Sequence, residues 1–309
     1  MNNRIIRYFN QNRIKVIITI FVIVFIIILI YTVNSILANR EPENTQRNDT
    51  IVDSSVPSES VITGETVDTD KTEANTNLIE EFVNYCNNGD YENAYNLLSQ
   101  DCKDEVFSDI DNFINNYITP IFNTRKIYSL ELWYNTSSEY TYRTIYQEDN
   151  ILSTGVVNSG NNIEDYITVI EDGDNYKLNI NGFINKETIN KTQDTDGIQI
   201  TINNRKRYRS YERYSITVIN NTENTIRIND GQNGNDICLV DGNEVEYNSM
   251  INEVPISSLE LEPGGIRSFD IRFYKIYNLY RTIEGIRFKN IDTNIDADDN
   301  ELINIQIDI

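Results

Sequence analysis

The segment NNRKRYRSYERY, residues 203–214, concentrates positive charge in an otherwise acidic chain. Arginine side chains recognise carboxylates and phosphates through charge-assisted hydrogen bonds. The residues concerned are Arg205, Arg207, Arg209 and Arg213. We favour a solvated strand edge or loop whose arginines pair with the protein's own carboxylates. The alternative is that they contact an anionic wall polymer or an acidic partner protein.

Period-two alternation predicts how this segment is oriented. It places the four arginines together on one outward face. It directs a second set of side chains into a core: Ile198, Ile200, Ile202, Tyr214, Ile216 and Val218.

Carboxylate clusters occur in the predicted helices, and paired carboxylates can perform acid-base chemistry when their surroundings separate their pKa values. The clustered residues are Glu80, Glu81, Asp101, Asp104, Glu105, Asp109 and Asp111. We interpret them as solvated helix faces. The chain contains no histidine, which removes the commonest general base. It also has neither the Ser-x-x-Lys nor the Lys-Thr-Gly motif of penicillin-binding proteins. We expect no catalytic site.

Two acidic stretches, residues 229–236 and 291–301, resemble calcium-binding loops in composition only. Counted from Asp292, position six is Ala297 and position twelve is Ile303, whereas an EF-hand loop has glycine and glutamate there. We expect solvated loops, with no metal and no cofactor.

The three cysteines are too few and too scattered for a zinc site or a disulfide framework. Cys86 and Cys102 fall on consecutive predicted helices. We favour two buried thiols there, with a disulfide as the alternative, and a core position for Cys238.

Net charge argues against nucleic acid as a partner. The chain has 48 acidic and 26 basic residues, a formal net charge of −22. Such a surface repels phosphate backbones.

The N-terminal region predicts a membrane anchor. Residues 16–38 carry no charge and are almost continuously apolar, and about 20 such residues span a bilayer. Basic residues precede this span and acidic residues follow it, so residues 1–15 are predicted to be a cytoplasmic stub and the rest to be extracytoplasmic. Residues 39–76 are polar and lack aromatic residues, which indicates a disordered linker.

Residues 77–185 predict three helices followed by antiparallel strands, because apolar positions recur first with the helical period and then with period two. Gly89 should end the first helix and Asp90 cap the next. The segment EFVNYCNNGDYENAYNLLSQDCKDEV resembles the opening of nuclear-transport-factor-two-like domains of bacterial envelope proteins. The resemblance implies an α+β cone, with helices on a curved antiparallel sheet. Some relatives are enzymes with an Asp-His pair inside the cone, which this chain cannot form.

Residues 197–309 show only short alternating strands, after a connector at 186–196. This spacing predicts an all-β sandwich. The segment SLELEPGGIRSFDIRF, residues 258–273, resembles Ig-like modules of bacterial surface proteins.

The predicted fold class is therefore a single transmembrane helix, an α+β cone and an Ig-like sandwich. From it we expect a non-enzymatic, single-pass protein of the bacterial cell membrane that presents two extracytoplasmic binding domains. The alternative is a bridge-type subunit of a conjugative or secretion machine.

Overall fold

The computed structural model describes residues 58–149, 162–172, 175–274, 282–297 and 301–309. Contacts divide the chain into two units, Met1–Ser54 and Ser55–Ile309. Every element below belongs to the second unit. The predicted stub, transmembrane helix and first part of the linker lie outside the described residues.

Helix α1, Thr69–Asn88, is the longest helix of the described part. Gly89 ends it in the left-handed conformation, with φ of 76°, and the Asp90 side chain accepts a hydrogen bond from Asn93 N. Both features were predicted from the sequence and are confirmed. The sequence places residues 69–76 in a disordered linker, but they form the start of α1, where Thr72 and Asn75 are buried.

The chain after α1 breaks into short helical segments because a capping residue recurs about every ten positions. Ser99 Oγ accepts from Cys102 N at 2.9 Å, and Asp109 Oδ1 accepts from Asn112 N at 2.7 Å. Such caps begin new helices and interrupt the preceding ones. The segments are α2 (Tyr91–Asn96), α3 (Gln100–Glu105), α4 (Ile110–Phe113), a π-helical turn (Ile114–Ile118) and α5 (Thr119–Ile121).

The first sheet is antiparallel with strand order β1-β2-β3-β4. Its strands are β1 (Lys126–Asn135), β2 (Glu139–Glu148), β3 (Ile163–Asp172) and β4 (Asn175–Asn179). Apolar side chains of α1 and of this sheet share one core, which contains Phe82, Val83, Leu132 and Ile167. Burial of these side chains is the main force that holds helix and sheet together.

The second sheet has the order β12-β7-β6-β5. Its strands are β5 (Phe183–Thr195), β6 (Ile198–Tyr208), β7 (Tyr211–Asn220) and β12 (Ile266–Tyr274). Strand β5 covers the predicted connector 186–196 except for its last residue. Its first residue, Phe183, belongs to the core beneath α1.

The third sheet has the order β10-β9-β13-β8-β11, with β14 also paired to β13. It packs face to face on the second sheet, since Ile200 and Ile216 share a core with Leu239 and Phe288. All six side chains that alternation directs inward from β6 and β7 are buried there, as predicted. The strands are β8 (Ile226–Arg227), β9 (Ile237–Asp241), β10 (Glu246–Asn248), β11 (Glu260–Leu261), β13 (Ile283–Asp292) and β14 (Leu302–Asp308).

The fold class predicted from the sequence is wrong. Strands dominate the described residues, and the three expected helices are one long helix followed by short turns. No helix among these residues is long and apolar enough to cross a membrane. The membrane character predicted for the protein is thus unsupported, and the segment that motivated it, residues 16–38, lies outside the described part.

Candidate functional site

The hairpin of β6 and β7 carries all four predicted site residues, and a β-bulge divides them. Pairing passes from Ile202 opposite Ile216 to Asn204 opposite Ser215, so β6 holds one extra residue, Asn203. One extra residue moves every following side chain to the other face of the sheet.

The prediction that the four arginines share one outward face is therefore wrong. Beyond the bulge, Arg205 lies opposite the buried Tyr214, and Arg207 lies opposite the buried Glu212. Residues directly opposite each other in an antiparallel pair lie on the same face. Arg205 and Arg207 thus continue the face that forms the core, whereas Lys206, opposite Arg213, lies on the other face.

Arg207 links the hairpin to the first sheet. Its Nη2 donates to both carboxylate oxygens of Glu139, at 3.0 and 2.8 Å, and its Nε donates to Asn185 Oδ1 at 2.7 Å. The side chains of Arg207 and Glu139 are only 13% and 12% exposed. Pairs this well shielded are screened little by salt.

Arg205 is bound more loosely. It forms an ion pair with Glu187, whose side chain is 49% exposed. Its Nε is buried and has no hydrogen-bond partner in the protein. Burying a polar group without a partner is costly, so this end of the hairpin is less well satisfied than the pair of Arg207 with Glu139.

The opposite face of the hairpin converges on Glu105 of α3. Its carboxylate binds Lys206 Nζ at 2.8 Å and Lys186 Nζ at 3.0 Å, and Arg213 Nη2 lies 3.7 Å away. Burial by itself would raise the pKa of Glu105, but the hydrogen bonds from Lys206 and Lys186 outweigh it and hold the pKa below its ordinary value. Asp270 lies 3.5 Å from Arg213 Nε.

Glu105 also corrects the interpretation of the carboxylate clusters as solvated helix faces. Its side chain is only 12% exposed, and it bridges α3 to the second sheet. Asp109, from another cluster, is a helix cap. Asp109 is exposed and its capping role is a local signal, whereas no local pattern distinguishes Glu105 from its exposed neighbours.

Arg209 lies at the tip of the hairpin and stacks on the first sheet. Its guanidinium carbon is 5.1 Å from the ring centre of Trp133 and 4.8 Å from that of Tyr166. Its backbone N donates to Gly182 O at 2.7 Å. These are stabilising cation-π distances, so Arg209 fastens the hairpin to the first sheet.

A cavity of about 400 Å³ lies beside the hairpin, on the face that Arg205 and Arg207 share. Glu187 and Glu212 also line it. Aromatic and aliphatic residues complete its wall, among them Tyr134, Tyr247 and Ile283. Its volume lies in the range of small-molecule sites.

Sequence reasoning missed a buried polar network inside the first sheet. Asp165 of β3 is 6% exposed and accepts from Tyr117 Oη at 2.7 Å. Backbone N–H groups of Tyr166, Asn181 and Gly182 donate to the same carboxylate at 2.7 to 3.2 Å. Burial raises the pKa of Asp165.

The signal for Asp165 was present in the sequence, because alternation along DYITVIED places it on the inward face with Ile167 and Val169. Its carboxylate accepts four hydrogen bonds, and two of them come from the turn at Asn181 and Gly182, where φ is 58° and 69°. The carboxylate therefore anchors that turn, which is a structural role.

The cysteines are all free and buried, as in the interpretation we favoured. Burial raises the pKa of Cys102 to about 12 and that of Cys238 to about 11, and it also raises the pKa of Cys86. Thiols with such pKa values are unreactive at neutral pH.

The acidic stretch at 229–236 forms side-chain-to-backbone turns. Asn229 Oδ1 accepts from Gly231 N at 2.7 Å, and Asp230 Oδ1 accepts from Gln232 N at 2.8 Å. Part of the stretch at 291–301 lies outside the described residues. Within the described ranges, no group of three or more His, Cys, Asp or Glu is placed to hold a metal ion.

Comparison with known proteins identifies no family. No protein-family model and no curated protein matches the chain. One solved structure, a conserved hypothetical protein from Bacillus anthracis, is similar at 14% sequence identity over 32% of this chain and 95% of that chain. Its TM-score of 0.23 is too low for the similarity to indicate a shared fold. The resemblances to nuclear-transport-factor-two-like and Ig-like domains stay predictions.

Proposed function

We propose that this protein acts by binding rather than by catalysis, and that the cavity beside Arg205 and Arg207 is its ligand site. The observation that carries the proposal is the meeting of a space of about 400 Å³ with charged side chains of both signs in its wall, Arg205, Arg207, Glu187 and Glu212. Ligand sites combine such a space with a few polar groups that orient the ligand.

The ion pairs around the cavity support binding over catalysis. General acids and bases need pKa values close to the working pH. Arg207 is instead held by Glu139 and Asn185, and Arg205 by Glu187. Guanidinium groups stay charged at all physiological pH values, so they can orient a ligand but cannot exchange protons with it.

A location in the cell envelope, outside the cytoplasm, is part of this proposal and rests on the sequence alone. The bridge-type subunit stays an untested alternative, and no contact described above favours it.

The test is a thermal-shift screen of the full chain with neutral sugars, small carboxylates and dipeptides. A ligand that binds only the folded state raises Tm. We expect at least one class to do so in the wild type, and Ile283→Trp, which fills the cavity, to abolish the shift. Ile256→Trp is the matched control, since Ile256 is 47% exposed and does not line the cavity. A shift that survives in Ile283→Trp, or no shift with any class, would refute the ligand site.

A further inference from the structure

The cavity beside Arg205 and Arg207 has features that select among classes of ligand. We infer that it takes a neutral saccharide of one or two sugar units, and not the polyanion that the basic segment suggests. The inference rests on the proposed function and adds the chemical class of the ligand.

Charge balance is the first argument. Two guanidinium groups line the cavity, but so do the carboxylates of Glu187 and Glu212. The carboxylate of Glu139 binds Arg207 from the first sheet. A polyanion would therefore meet at least as many negative as positive groups and gain no net Coulomb attraction.

The existing ion pairs are the second argument. A carboxylate or a zwitterion would have to compete with Glu187 for Arg205 and with Glu139 for Arg207. A hydroxyl group both donates and accepts hydrogen bonds. It can join such a pair from the side without breaking it, with its oxygen toward a guanidinium and its hydrogen toward a carboxylate.

Tyrosine rings are the third argument. Tyr134 of β1 and Tyr247 of β10 line the cavity. The face of an aromatic ring carries partial negative charge. It therefore attracts the weakly positive C–H groups that cover one side of a sugar ring. Tyrosines beside paired Arg and Glu side chains thus match both surfaces of a sugar.

Titration calorimetry of the full chain tests the ligand class, with maltose, cellobiose and diacetylchitobiose as neutral probes. Poly-glutamate serves as the polyanion and dialanine as the zwitterion. We expect at least one disaccharide to bind, with an affinity that changes less than about twofold between 50 mM and 500 mM salt, because no net charge is neutralised.

The variant Tyr134→Ala removes a ring of the cavity wall and should weaken disaccharide binding by roughly tenfold, the upper end expected of one ring contact. Tyr134→Phe keeps the ring and should bind within about twofold of the wild type. Equal affinities for Tyr134→Ala and Tyr134→Phe would overturn the role of the ring.

The remaining outcomes separate this inference from the proposed function. The saccharide inference would be overturned if no disaccharide binds but dialanine binds, or poly-glutamate binds in a salt-sensitive way. The ligand site would still stand in that case, provided that Ile283→Trp abolishes the binding. If no probe binds the wild type, the inference of a saccharide ligand is refuted. The wider thermal-shift screen then decides whether the cavity is a ligand site at all.

Discussion

The two faces of the β6–β7 hairpin contain the same residue types but use them differently. On one face Arg205 and Arg207 border a cavity. On the other, Lys206 and Arg213 converge on Glu105 and Asp270. The bulge at Asn203 shifts the alternation along β6, so that Arg205 and Arg207 face the cavity and Lys206 faces the other side. A cluster of arginines in a sequence therefore says little about ligand binding until the face of each side chain is known.

Inserting one alanine between Asn204 and Arg205 should have the largest effect on this difference between the faces. The inserted residue would take the place opposite Tyr214 and turn Lys206 toward the cavity and Arg205 and Arg207 away from it, so the ion pair of Arg207 with Glu139 would break. We expect the free energy of unfolding to fall by more than about 3 kcal/mol, as when one buried ion pair is broken. Urea unfolding of the full chain measures it.

The control for that insertion is Asn203→Ala, which keeps the pairing register and loses only the hydrogen bond from Asn203 Nδ2 to Thr217 Oγ1, 2.9 Å long. It should cost about 1 kcal/mol. Equal losses for the two variants would mean that the bulge or the turn absorbs the inserted residue and that the pairing register does not decide which face each cation occupies.

Replacing Glu105 with Gln should have an intermediate effect, because it leaves Lys206 and Lys186 without their shared carboxylate. We expect a loss of about 1–3 kcal/mol at pH 7. Glu131→Gln is the control, since Glu131 is half exposed in its pair with Arg143, and it should change stability by less than about 0.5 kcal/mol. A loss for Glu105→Gln no larger than that of the control would contradict the role of Glu105.

The pH dependence of the Glu105 variant follows from the sign of the pKa shift. The pKa of Glu105 is lowered from its ordinary value of 4.5 in the folded protein. Its contribution is therefore fully present above the unfolded pKa and lost as pH falls through the folded pKa. Below pH 4.5 the stability of the wild type should approach that of Glu105→Gln, as urea midpoints measured from pH 7 to pH 3 would show.

Replacing Glu187 with Gln on the cavity face should have the smallest effect on stability. Glu187 is half exposed in its pair with Arg205, and such pairs contribute about 0.2–1 kcal/mol. The urea midpoint should hardly move, whereas saccharide affinity should fall because a wall acceptor is altered. A destabilisation as large as that of Glu105→Gln would show that both faces are structural.

The core of the sandwich could be predicted from the sequence, and so could the end of α1. Alternation assigned Ile198, Ile200 and Ile202 to the interior, because strand side chains point to opposite faces by local geometry alone. Gly89 and Asp90 were assigned correctly because helix capping also depends on neighbouring residues. The number of helices was wrong, since the caps at Ser99 and Asp109 divide the region more finely than the apolar period indicates.

The candidate site was predicted only in part. The sequence singled out the four arginines but placed them on one face, because alternation continues through a bulge unless the pairing register is known. No sequence pattern indicated the cavity, because its wall combines Tyr134 of β1 with Tyr247 of β10 and Ile283 of β13. Only folding brings these three strands together.

The sequence by itself determined the charge of the chain, the absence of histidine, the alternation of β6 and β7 and the grouping of arginines at their junction. Each is a property of composition or of neighbouring residues. Only the tertiary structure decided that Arg207 pairs with Glu139, 68 positions away, and that Lys186 pairs with Glu105, 81 positions away. Those partners were chosen among 48 acidic residues by the packing of the hairpin against the first sheet and α3, because an ion pair forms only where the folded backbone brings two side chains within reach.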